Sequence, residues 1–432
     1  MHPLMGLAVL ALAPAAPADD GTLEKKIREI EARHETEMET VVDRLDELET
    51  ALKEARKPKA TLKLIDISLD GLFAVGGSTA TDAQLLDLQG GGHDPHRRGF
   101  TVHNVELSAS GAVDPYFTGE AHIVYTIDPD GGTVVELEEM FLTTTSLPAG
   151  LQVKAGQYFT EFGRLNPTHP HAWDFVDQPI VNTRMFGGDG MRGPGARLSW
   201  LAPTPFALEV IGGVQNANGE TMPSFFGAPG DPQVGGHPWV TQDVGSPADM
   251  VYSARAAATI DLAPTTVLMP GVSGAFGPNG TGGRTRIQGG DLTLKWKPLE
   301  NEGGFPFLAW TSEYIARRFA ADAAVDPATS TFVPGDVLHD AGLYTQVVWG
   351  FSRGWTLGAR HEWADGSGGG SGTDPMRDQR TRDSLSLTWY PSEFSKIRLQ
   401  GSMDRDEVIG KPVYAVWLQF EILIGAHGAH KW

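Results

Sequence analysis

The sequence predicts an all-β transmembrane barrel of about sixteen antiparallel strands preceded by a short α-helical coiled coil. Three observations carry this. From about Leu62 onward the apolar residues recur every second position. Turn-forming clusters divide that region into strand-length pieces. Before it, from Thr22 to Lys57, the apolar spacing is three and four, with no glycine or proline until Pro58.

The first element is an apolar stretch from Leu4 to Ala18, closing on Ala16-Pro17-Ala18 before Asp19-Asp20. Residues 1–18 read as a signal peptide, although His2 and the terminal amine stand where a lysine or arginine is usual. No later run approaches the roughly twenty apolar residues of a spanning helix. A chain of this kind enters a membrane only as a closed sheet, which satisfies its own backbone hydrogen bonds.

Residues 19–57 form the second element. Leu23, Ile27, Ile30, Met38, Val41, Leu45, Leu48, Leu52 and Ala55 make a seam, with a stutter between His34 and Met38. A helix of about 36 residues reaches roughly 54 Å. So narrow a stripe calls for partner helices, and the expected assembly is a homotrimer held through the coiled coil and the barrel.

Residues 58–432 are the barrel. Its clearest strand alternates Phe117, Gly119, Ala121, Ile123, Tyr125 and Ile127 with Thr118, Glu120, His122, Val124 and Thr126. The same rhythm returns at Ile65–Phe73, Leu343–Phe351, Trp355–Trp363, Leu385–Trp389 and Tyr414–Ile422. Such strands, when tilted, are long enough to cross a hydrocarbon core. Short turns, such as Asp114-Pro115 and the glycine turn after Asp128, are expected at one end. Long connections at 90–99, 165–195, 217–247 and 365–382 are expected at the other. Trp200, Trp296, Trp310, Trp349, Trp363, Trp389 and Trp417 suit interfacial aromatic girdles, and Trp432 supplies a terminal aromatic.

The stretch Leu151–Arg164, followed by His171-Ala172-Trp173-Asp174-Phe175-Val176-Asp177 and Gly195-Ala196-Arg197-Leu198-Ser199-Trp200, resembles the phosphate-selective porin superfamily. Within it, the chain is most similar to the outer-membrane barrels labelled zinc-regulated TonB-dependent receptors, whose ends resemble Ile424–His430. The resemblance implies a porin-like, often trimeric, barrel that admits small solutes across an outer membrane. Two departures stand out. Arg97, Arg98, Arg284, Arg286, Arg377, Arg380 and Arg382 fall mainly in loop-like segments, so no basic pore ladder is expected. The length after Pro58 holds neither a plug domain nor twenty-two strands.

Alternation alone assigns Glu120, His122, Lys154, Arg360 and Glu362 to the pore lining. Histidines pair at His93/His96, His169/His171 and His427/His430, with Asp94 and Asp174 nearby. None has the i, i+4 spacing of a preorganised helical site, so they read as polar loop residues and no metal is assigned. Gly187-Gly188-Asp189-Gly190 precedes no helix and cradles no phosphate. Serine, histidine and aspartate are too scattered for a catalytic constellation, so no enzyme activity, catalytic residue or cofactor is expected.

The composition limits partners. Lysine and arginine total 34 against 54 acids, a formal charge of -20, which opposes nucleic-acid binding. With no cysteine there is neither a disulfide nor a thiolate site. The expected partners are outer-membrane lipid and small solutes or ions, with the coiled coil in the periplasm. Passive diffusion is the leading expectation. A zinc-related uptake receptor and a structural anchor with a periplasmic tether are the alternatives.

Overall fold

The computed structural model describes residues 65–128, 131–229, 234–368 and 374–426, together with Lys25. The leader, the coiled coil, Pro58, His427, His430 and Trp432 lie outside the described residues. Of two compact units, Met1–Lys63 and Leu64–Trp432, the second carries the described fold.

Its strands are β1 (Asp66–Ser78), β2 (Gly99–Ala112), β3 (Phe117–Ile127), β4 (Thr133–Thr144), β5 (Leu151–Phe159), β6 (Arg192–Ala202), β7 (Ala207–Asn216), β8 (Met250–Ala263) and β9 (Thr266–Pro278). There follow β10 (Arg284–Trp296), β11 (Phe307–Ala321), the small hairpin β12 (Ala324–Val325) and β13 (Phe332–Val333), β14 (Asp336–Ser352), β15 (Trp355–Ser367), β16 (Arg380–Ser392), β17 (Ser395–Asp406) and β18 (Val413–Gly425). All but the hairpin form one closed barrel in which each strand pairs with its sequence neighbours, and β1 closes antiparallel on β18. Sixteen strands therefore leave no sheet edge open. Two helices follow strands: α1 (Asp82–Leu88) and α2 (Ile180–Phe186).

Alternation fixes the faces. Ile65, Leu69, Leu142, Val272, Leu385, Val416 and Ile424 are exposed on the outside, whereas Leu72, Glu106, Asp291, Arg360 and Gln400 are buried inside. A one-residue slip would exchange these two sets, so the pairing is strongly specified. Each outward Val or Leu transferred from water to hydrocarbon gains about 1.5–3 kcal/mol.

At the end where β1 begins and β18 stops, the connections are short except for 297–306 between β10 and β11. At 113–116, Asp114 Oδ1 accepts hydrogen bonds from the amides of Tyr116 and Phe117, and Gly354 takes a φ of 75° in the two-residue turn after Ser352. The other end carries 79–98, 160–191, 217–249, 322–335 and 368–379. The glycine turn at 128–132 belongs to this long-loop end, not to the short-turn end. Trp200, Trp296, Trp310, Trp349, Trp355 and Trp389 stand exposed near the short-turn end, and Trp355 stacks on Trp389 with centroids 5.7 Å apart. Trp417 breaks the expected girdle: it is 0% exposed and packs inward against Leu85 and Leu88 of α1.

The arginine expectation also fails in part. Arg380 and Arg382 lie on β16 and are buried inside, as are Arg255, Arg317, Arg360 and Arg398 on other strands. Arg284 and Arg286 open β10 on its outer face. Arginines next to Asp or Thr resemble turn sequence locally, and only the pairing of each with a distant carboxylate makes them strand residues.

Candidate functional site

The connection 160–191 turns inward and crosses the lumen, touching three sectors of the wall in turn. Phe162 packs over Gly289 of β10, where an added Cβ would lie 2.8 Å from its ring. The Gly163 amide donates to Ser273 Oγ at 3.0 Å. Gly163 has a φ of 62° and no room for a Cβ beside the Glu313 carboxylate, so only glycine fits this approach. The chain then swings to β2–β4, where His169 and His171 meet the wall. From Trp173 it runs along β14–β17 and enters α2, which lies against β11, β14 and β15.

One hydrophobic cluster holds the crossing: Phe162, Val181, Met185 and Phe186 pack with Phe225 and with Ile287, Ile315 and Tyr344 of the wall. Gly342 makes room for Val181, since a Cβ there would lie 2.7 Å from its methyl group. The sector β8–β14 therefore contains an apolar core inside the barrel.

A lattice of guanidinium and carboxylate groups holds the opposite stretch. Asp177 Oδ1 accepts from Arg360 Nη2 at 2.5 Å and from Gln400 Nε2 at 3.0 Å, and its Oδ2 accepts from Arg382 Nη1 at 2.8 Å. Arg382 Nε and Arg380 Nε reach Asp404 at 2.8 and 2.7 Å. Glu362 accepts from Arg360 Nε at 2.8 Å and from the Ile180 amide at 2.7 Å, which satisfies a free donor at the start of α2. Arg398 donates to the carbonyls of Trp173 and Phe175 at 2.7 and 3.0 Å. The Leu88 carbonyl, at the end of α1, accepts from Arg382 Nη2 at 2.6 Å, a cation at the favoured pole of the helix. Burial pushes the Asp177 carboxyl up, but the Arg382 and Arg360 charges outweigh it and hold the group below the ordinary carboxylate range. Asp94 receives the Gln178 amide at 2.9 Å. Burial, and then the Asp177 charge, push its carboxyl up to about 7.

The five alternation-assigned residues divide into two groups. Arg360 and Glu362 are buried beneath the crossing segment and hold it. His122, Glu120 and Lys154 occupy the other side, with side-chain exposures of 16%, 43% and 15%. There Lys154 Nζ lies 3.8 Å from Glu161 and 4.0 Å from the centre of the Phe141 ring.

His93, His169 and His171, read from sequence as loop residues, converge with His122, assigned to the pore lining, on buried glutamates. His122 Nδ1 lies 2.7 Å from Glu106 Oε1, and His169 Nδ1 lies 3.4 Å from Glu106 Oε2 and 2.8 Å from Glu138 Oε2. His169 Nε2 is 3.0 Å from Glu139 Oε2, His171 Nδ1 is 3.5 Å from Glu106 Oε2, and His93 Nε2 is 3.6 Å from Glu138 Oε1. Glu106, Glu138 and Glu139 were missed in the sequence. Glu106 was legible by alternation with Ser108, but the bulge opposite His122 and Ile123 turns both Glu138 and Glu139 inward.

No protein-family profile matches the chain. It is 33% identical over 399 residues to an uncharacterized protein of Aquifex aeolicus (strain VF5), covering 85% of this chain and 80% of that one. Among solved structures, it is similar to an anion-selective porin from Comamonas acidovorans (TM-score 0.51, 9% identity, 83% of this chain and 100% of that one). It is also similar to the outer membrane channel DcaP of Acinetobacter baumannii (TM-score 0.51, 10% identity, 83% and 96%). At these identities the likeness is one of fold. The chain thus has a porin-like sixteen-stranded barrel, and it belongs to the same family as the uncharacterized Aquifex aeolicus protein.

Proposed function

We propose that the chain is an outer-membrane channel for passive diffusion of small hydrophilic solutes or ions, its bore set by the crossing segment 160–191. The supporting observation is the division of the lumen. The β8–β18 side is filled by an apolar core and a charge lattice. The β2–β5 side keeps partly exposed polar groups, with Glu120 and His171 at 43% and 31% exposure. A path along Glu120, His122 and Lys154 passes three buried glutamates, 106, 138 and 139. Their field favours cations over anions. Arg360 and Glu362 position the bore from behind.

Protomers associate as a trimer, through the coiled coil and through the outer face of β15–β17. On that face His361, Asp383 and Arg405 form an ionic chain with contacts of 2.7 and 3.3 Å. Charges at membrane depth are costly against lipid and are better covered by a second copy of the same surface.

Conductance in planar bilayers tests the channel. Discrete steps with a reversal potential of cation-selective sign are expected in a salt gradient. A barrel that never produces steps would be an anchor, and a reversal of anion-selective sign would overturn the assigned path.

A further inference from the structure

We propose that Glu106, His122 and His169 bind a divalent transition cation of the zinc class, which staples the crossing segment to the wall of the barrel. This rests on the channel reading for its consequence but not for its chemistry. One donor atom from each of the three residues lies within 4.8 Å of the others. They come from β2, β3 and the inward connection, so no local sequence motif announces them.

A second observation is independent of this proximity. Glu106 Oε2, Glu138 Oε2, His169 Nδ1 and His171 Nδ1 are buried atoms that make no hydrogen bond of good geometry and face only one another, His169 Nδ1 lying 2.8 Å from Glu138 Oε2 and 3.4 Å from Glu106 Oε2, and Glu106 and Glu138 are 0% and 1% exposed. Orphaned polar atoms are rare in folded proteins because each forfeits its hydration. These four are aimed at one another, which is costly for neutral groups and favourable around a cation. Two imidazoles and a carboxylate, with a further place for His171, Glu138 or water, suit zinc and its neighbours. Magnesium and calcium prefer all-oxygen shells.

The surrounding residues fit the same assignment. If His169 coordinates through Nδ1, its Nε2–H donates to Glu139 Oε2 at 3.0 Å, the usual carboxylate support of a liganding imidazole. Ser108 Oγ donates to Glu106 Oε1 at 2.7 Å and fixes that carboxylate. Because His169 rides on 160–191 while Glu106 and His122 belong to the wall, an occupied site locks the bore in place.

The test uses the full chain in detergent, stripped of metal with a chelator and titrated with Co²⁺ as a spectroscopic probe and with Zn²⁺ by calorimetry. One saturable Co²⁺ per barrel is expected, its ligand-field band lost in His122→Ala and in His169→Ala and kept in His361→Ala on the outer face. Glu139→Gln, a positioning variant that leaves all ligands in place, should weaken affinity about 10–100-fold. Heat-modifiable mobility establishes that each variant is folded. In bilayers Zn²⁺ should change the wild-type step size reversibly and leave His169→Ala unaffected. Non-saturable Co²⁺ binding, or a band that survives in the His122→Ala, His169→Ala double variant, overturns the site. Steps of normal size that ignore Zn²⁺ overturn the staple while the channel stands. A saturable site in a barrel that never conducts supports the cation site and removes the channel reading.

Discussion

Arg382 donates to Asp177 across 2.8 Å, with the two side chains 1% and 0% exposed, so a lumen segment is tied to the barrel wall by a charge pair that water does not screen. The same carboxylate serves Arg360, and neither guanidinium can lose its charge. Asp177 is thus the anion that two strands' cations share at the crossing point, each having a second carboxylate of its own, Glu362 for Arg360 and Asp404 for Arg382.

Removing it has an asymmetric cost. In Asp177→Ala both guanidiniums remain buried with half their partners gone, a change worth about 3–5 kcal/mol for a broken buried pair. The segment should undock, giving larger conductance steps and a new protease-accessible site between residues 160 and 191. Steps and proteolysis identical to wild type would mean that the lattice does not hold the segment.

The pH dependence of docking follows from Asp177 and Asp94. Facing Asp177 are Arg360 and Glu362 from β15, Arg382 from β16, Gln400 and Asp404 from β17, and Asp94 from the connection after α1. The depressed Asp177 carboxyl contributes stability above the ordinary carboxylate value, and that stability is lost as pH falls through its lower folded value. The raised Asp94 carboxyl acts in the opposite sense: its contribution is complete below the ordinary value and is lost as pH rises through about 7. Protection of 160–191 from hydrogen exchange, taken relative to the intrinsic rate at each pH, should therefore be greatest in mildly acidic buffer, lower above about 7 and lower again in strong acid. In Asp94→Asn the loss of protection above neutrality should disappear while the acid limb persists.

The apolar side of the crossing has its own test. Phe162 is fully buried over Gly289, and Phe162→Ala should cost about 3–5 kcal/mol of docking stability by leaving a cavity. Gly289→Leu attacks the same contact from the wall, because its side chain would occupy the place of the phenyl ring. Both variants should keep the barrel's heat-modifiable mobility and lose protection of 160–191. Loss of the barrel itself would show that the inner core supports the strands.

Much of this architecture can be read from residue order. The period-2 rhythm specifies strand faces because lipid and lumen impose opposite polarity on alternate residues. The strand β3 of Phe117–Ile127 has the bounds that its sequence suggests. The inward course of 160–191 cannot be read in this way. Asp177, His169 and Phe162 find partners on β15–β17, β2–β4 and β10, and pairings over such sequence distances leave no periodic trace. Arg382 reads as a loop residue because its neighbours are polar on both faces, and Trp417 as a girdle residue because tryptophan is common at interfaces. The sharpest omission, Glu138 and Glu139, arises from a bulge, which inserts a residue and breaks the very alternation used to assign faces.

Val272, midway along β9, is 61% exposed, and Trp296, at the short-turn end of neighbouring β10, is 41% exposed. If hydrocarbon covers this face, an arginine at mid-depth costs about 2–4 kcal/mol, and near the interface only about 0–1. Val272→Arg should then lower the folded fraction in lipid vesicles far more than Trp296→Arg, although tryptophan loses more apolar area. In aqueous solution the order would reverse, since area alone would decide. Equilibrium unfolding in guanidinium, read by tryptophan fluorescence for Val272→Arg and by heat-modifiable mobility for both, gives the two costs. A Trp296→Arg variant less stable than Val272→Arg would place this face in water and withdraw the membrane from the account.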